Sequence, residues 1–133
     1  MTDAEFIHAF EQGDLSPAQF GHGAHVRVAY GYLQAMPFLE ACIAMRDGLQ
    51  RFATRIGKAM LYHETKTVAF MSLVAQGMRD DGDGGPAGWQ GLLARHPDLA
   101  NAQLLQRYYP PQVLDSDLAR QQFLLAQPEP QIP

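Results

Sequence analysis

The chain has one cysteine, no cluster of basic residues and no long apolar run, and each shortage removes a class of function. A single thiol, Cys42, excludes an internal disulfide and any zinc knuckle built from cysteines. Its place on the apolar side of a helical pattern reads as a small buried hydrophobe. The 10 Lys and Arg are scattered among 14 Asp and Glu, giving a net charge of -4 and a pI near 5.6. No basic face is therefore expected to neutralise phosphates, and nucleic acid is not an expected partner. No apolar stretch approaches the roughly 20 residues that cross a bilayer, so no membrane partner is expected. The N-terminus is polar and acidic, without the basic and apolar regions of a signal peptide, which sets a cytoplasmic expectation. There is no Walker loop, no G-x-G-x-x-G between a strand and a helix, and no nucleophile-elbow context around Ser16 or Ser72. Strand-like alternation never lasts more than a few residues, and no internal repeat stands out.

What is present is helical punctuation. The 133 residues, 47% hydrophobic and 18% charged, suit one globular domain with a real core. Thr2-Asp3-Ala4-Glu5 is a capping-box pattern opening a helix to about Gln12, which Gly13 stops. Ser16-Pro17 starts a short turn. A helical pattern runs from about His22 to Ala35 and ends at Pro37. The clearest amphipathic segment covers Phe38 to Thr54, with Cys42, Leu49 and Phe52 on its apolar side and Gly57 beyond its end. A third long helix is expected over Tyr62 to Met78. Short helices follow at Trp89 to Ala94 and Leu99 to Tyr109. A last one runs from a cap at Asp115 or Ser116 to about Ala126. Asp80-Asp81-Gly82-Asp83-Gly84-Gly85-Pro86 lacks the later glutamate of a calcium loop and reads as a solvated connection. The expectation is an all-α fold, a single-domain irregular helical bundle with three longer helices and several short ones. It spans residues 1–126 and is followed by a Pro-rich tail at 127–133.

Two polar clusters fall at helix heads. Phe20 to Tyr30 reads F-G-H-G-A-H-V-R-V-A-Y and carries His22, His25 and Arg27; Tyr62-His63-Glu64-Thr65 opens a later helix. Residues three apart on a helix share a face, so His22 and His25 suit one ion at about 2.0–2.1 Å per bond. If the heads converge, His22, His25 and His63 make a three-histidine metal site. With Glu64 in place of His63 the set becomes two histidines and a carboxylate, which suits non-heme iron. His63 and Glu64 are adjacent and compete for that role. The one that does not ligate is expected to support the other, or Glu64 serves as a general base on a metal-bound water. Arg27 has two readings: an anchor for an anionic group on a ligand, or a structural ion pair with an acid such as Glu64. Tyr30, Tyr62, Tyr108 and Tyr109 either line a pocket or pack. His8 is expected on the surface, and His96 near carbonyls or solvent.

Together with R-Y-Y-P-P and the D-S-D-x-A-R ending, these two motifs resemble a family of small bacterial all-α proteins with no assigned activity. The resemblance covers most of the chain and implies that His22, His25, Arg27, His63 and Glu64 belong together; it implies no reaction. Two functions are expected from the residues. One is a metal-dependent enzyme with iron or zinc on His22, His25 and His63. In it Glu64 and Arg27 handle the proton and a small polar or anionic substrate. The other is a non-catalytic ligand-binding or interaction module. There the same cluster is a structural polar network, and exposed apolar residues pair two copies as a homodimer.

Overall fold

The structure is a computed structural model that describes residues 1–82 and 87–126. Residues 83–86 of the expected solvated connection and the expected Pro-rich tail at 127–133 lie outside the described residues. The fold is all-α. Among the described residues there is no strand and there are seven α-helices: α1 (Asp3–Gln12), α2 (His22–Ala35), α3 (Phe38–Arg55), α4 (Glu64–Asp80), α5 (Gly88–Arg95), α6 (Pro111–Leu114) and α7 (Asp117–Gln121). Short 3-10 turns fill several connections.

Local chemistry accounts for most boundaries. The capping box forms at the head of α1, with the Thr2 hydroxyl accepting from the Glu5 N–H and the Glu5 carboxylate accepting from the Thr2 N–H, both at 3.1 Å. Gly13 ends α1 in the left-handed region at φ 74°, where a side chain would be strained. Ser16 caps a 3-10 turn over Pro17–Gln19 in the same reciprocal way. That turn delivers Phe20 into the core, stacked on Phe10 with ring centroids 5.0 Å apart.

The core sits where α2, α3 and α4 pack against one another. Val26, Val28, Met45, Met71 and Val74 are buried at its centre. α1 closes one side by setting the Phe10 ring against Gly48, where any Cβ would collide with it. α5 closes another with Leu92 packed beside Gly77.

Three segments depart from the sequence expectation. α4 begins at Glu64, because His63 stands outside the helix as its N-cap. Leu99 to Tyr109 is not one helix but two 3-10 turns, Pro97–Ala100 and Leu104–Arg107. Between them the Asn101 side chain accepts from the Gln103 N–H at 2.9 Å, a local bond that competes with the helical ladder. The last helix stops at Gln121 rather than near Ala126. The Thr65 hydroxyl donates to the Gln122 carbonyl (2.8 Å) and accepts from the Leu124 N–H (3.1 Å), while Tyr109 donates to the Leu124 carbonyl (2.7 Å). Three tertiary bonds thus replace the ones a further helical turn would have made.

Candidate functional site

The heads of α2 and α4 open on one cavity of about 340 Å³. Its wall is largely apolar: Phe20, Met45, Leu49, Phe52, Ile56 and Phe70 from the bundle, with Leu61, Leu99, Leu104 and Leu105 from the connections. The polar groups reaching it are His22, His25, Tyr62, His63, Lys66, Thr67 and Asn101. All three histidines singled out in the sequence therefore line the same space; Glu64 and Arg27 do not.

His25 is the best defined of the three. Its Nδ1–H donates to the Gly21 carbonyl at 2.8 Å, which leaves the Nε2 lone pair without a protein partner among the described residues. The ring packs on Phe20, centroids 4.1 Å apart, and meets Phe70 edge-on at 6.4 Å. Burial between these aromatics lowers its pKa; the Gly21 bond opposes that shift and neighbouring His22 adds to it. His25 therefore favours the neutral imidazole; its ring belongs to the cavity wall and its Nε2 has no protein partner among the described residues. The exposed His22 ring lies 5.9 Å from it, centroid to centroid, with the planes 29° apart.

His63 is committed differently. Its Nδ1 accepts from the Lys66 N–H at 3.1 Å, and its Nε2–H donates to the Leu114 carbonyl at 2.6 Å. One tautomer satisfies both bonds, and both ring nitrogens are used. Its carbonyl also accepts from the Thr67 hydroxyl at 2.8 Å. Burial is the main cause of its lowered pKa. The bond to Leu114 and the charge of Asp115 oppose that shift, and the charges of Lys66 and Arg120 reinforce it.

Glu64 accepts from the Tyr62 hydroxyl at 2.6 Å. Burial and this bond raise the Tyr62 pKa above its ordinary value. Arg27 pairs with Asp3 at 2.8 Å, donates to the Met1 carbonyl at 2.9 Å and covers the Phe6 ring. It is a structural ion pair that ties the N-terminus to α2, with Asp3 rather than Glu64 as the acid. Among the described residues no three His, Cys, Asp or Glu side chains form a group that could hold a metal ion. A three-histidine centre would require His63 to release the Leu114 carbonyl or its cap.

The other candidates pack or pair. Tyr30 accepts from Gln34 at 2.9 Å, and Tyr109 holds Leu124. Tyr108 is exposed and Tyr62 lines the cavity. His8 is exposed as expected, and His96 bonds Asp81 at 2.9 Å. Sequence reasoning missed Lys66, Asn101 and the apolar wall. Lys66 had one available signal, its place three residues past His63 in the first turn of a helix.

Comparison with family models, curated proteins and solved structures gives no match to this chain.

Proposed function

We propose that this protein is a small helical ligand-binding module whose ligand enters the cavity between the heads of α2 and α4. The observation that carries the reading is a largely apolar cavity whose wall includes His25, a ring with its Nε2 unpartnered among the described residues. Ligand pockets have this character: an apolar wall for affinity and a few polar groups for orientation. The bonds of His63, Glu64 and Arg27 support the same reading, since each side chain is occupied in holding helix ends. Kinship with the small bacterial all-α family belongs to this proposal and rests on the two histidine motifs. A cytoplasmic setting is part of the same proposal. Pairing of two copies is its remaining part, supported by exposed Leu39 and Ile43, one helical turn apart on α3. Sedimentation at micromolar concentration tests that part: a dimer is expected, and a monomer that persists on concentration would remove it.

The test of the pocket is a thermal-shift screen of small apolar molecules against the native chain and Ala102→Trp. Ala102 is exposed at the cavity wall, so a bulky ring there narrows the cavity without entering the core. Hits that raise the Tm of the native chain and lose their effect on the variant are expected. Hits that act equally on both would place the ligand elsewhere.

A second reading is favoured by the histidine pair itself. A metal-bound imidazole usually donates its other N–H to a carbonyl, as His25 does to Gly21, and His22 stands 5.9 Å away. A divalent zinc or iron ion would then sit on His22 and His25, with the ligand completing its sphere. Cobalt titration followed by visible absorption tests this. Binding lost in both His22→Ala and His25→Ala supports it, and no stoichiometric binding removes it.

A further inference from the structure

We infer that the cavity selects a molecule with an apolar body and a single negatively charged head, of the medium-chain carboxylate class, with Lys66 as the counter-charge. The inference rests on the ligand-binding reading and adds the sign of the ligand.

Four independent features agree. Among the described residues the cavity wall contains no aspartate or glutamate, in a chain with net charge -4. Its one lysine or arginine among the described residues is Lys66, whose ammonium makes no ion pair among them. The first turns of two long helices reach the same wall, α2 through His22 and His25, α4 through Lys66 and Thr67. Each N-terminus carries a partial positive charge that favours an anion nearby. Finally, α2 has no side-chain cap: Gly21 stands at that position and offers no oxygen to the first N–H groups.

A cationic head would meet Lys66 and the uncapped N-terminus of α2, and the nearest carboxylate by sequence, Glu64 in the first turn of α4, is engaged by Tyr62 and is not part of the wall. A neutral head would gain nothing from the Lys66 ammonium, which stays solvated at the exposed edge of the wall. A dianion such as a phosphate ester would have one full positive charge against two negative ones. A carboxylate matches the single ammonium, and its alkyl or aryl body matches Phe20, Leu49, Phe70 and Leu105. The His25 lone pair repels a carboxylate oxygen, so the geometry directs the head towards Lys66 and leaves His25 beside the body or a hydroxyl on it.

The test compares octanoate, octan-1-ol and octylammonium by titration calorimetry at about pH 8, with the native chain, Lys66→Gln and Ala102→Trp. Lys66 is exposed, so its replacement by glutamine leaves the core intact, and melting curves check this. Octanoate is expected to bind more tightly than the alcohol, and octylammonium least. Lys66→Gln is expected to weaken octanoate by about threefold to tenfold, the scale of a partly exposed charge contact with helix dipoles behind it. The alcohol should bind both proteins alike. Octanol binding as tightly as octanoate, or octanoate affinity unchanged in Lys66→Gln, would overturn the charge selection and leave the pocket standing. Affinities unchanged by Ala102→Trp would overturn the pocket itself.

Discussion

His63 shows how much one side chain settles here. As N-cap of α4 it accepts from Lys66, and with its other nitrogen it fastens the Leu114 carbonyl of α6. Replacing it with alanine removes a cap and strands a carbonyl, a loss of about 2–4 kcal/mol. His63→Asn keeps a capping oxygen and loses only the reach to Leu114, so about 1–2 kcal/mol is expected from chemical denaturation. The ring also makes stability depend on pH. His63 and His25 both have pKa values lowered by burial, so the unfolded chain binds protons more readily than the native one below about pH 6.5. Stability is therefore full above that pH and falls on acidification until the native rings protonate too. Melting temperatures should drop between about pH 7.5 and 5.5, and the drop should be smaller in His63→Asn. At Cys42 burial pushes the thiol up to about 11, and the nearby charge of Glu64 adds to the shift. Slow reaction with a disulfide reagent at about pH 8 is expected, faster in Glu64→Gln, where the opposing charge is gone. An unchanged rate in that variant would contradict the electrostatic part.

At the scale of elements, the long helices were legible because their signals are local. Thr2, Gly13, Ser16 and Pro37 stand at helix ends, and apolar spacing fills the stretches between. The end of α7 was not legible, because what stops it comes from Thr65, far away in sequence. Thr65→Val should release residues 122–126 while keeping the methyl packing. Faster amide exchange at Leu124 is the readout, with a cost of about 1–3 kcal/mol for the bonds lost. Gly48 is the other position where elements meet through one atom. Gly48→Ala would drive a methyl into the Phe10 ring between α1 and α3, and a loss of about 1–3 kcal/mol is expected by thermal or chemical denaturation. Gly31→Ala should cost less, since the atom in its way is the end of the Ile7 side chain, which can turn aside.

For the whole molecule, the sequence placed three histidines at helix heads, and the bundle brings those heads to one cavity. What it did not reveal was the division of labour. Both nitrogens of His63 are used inside the fold, whereas His25 keeps one for the cavity, and neighbouring residues in space decide that difference. The apolar wall was also hidden, since Phe52, Phe70 and Leu105 come from separate elements and look like ordinary core positions in the pattern. The central claim is that this cavity takes a small apolar molecule beside His25. Side-chain and backbone NMR of the native chain during titration with octanoate and octan-1-ol tests it most directly. Saturable shifts confined to the heads of α2 and α4 and to Leu61, Phe70 and Leu105, with a change at His25 Nε2, are the expected result. Saturable binding that leaves His25 and those residues unmoved, or no saturable binding of either compound, would contradict it.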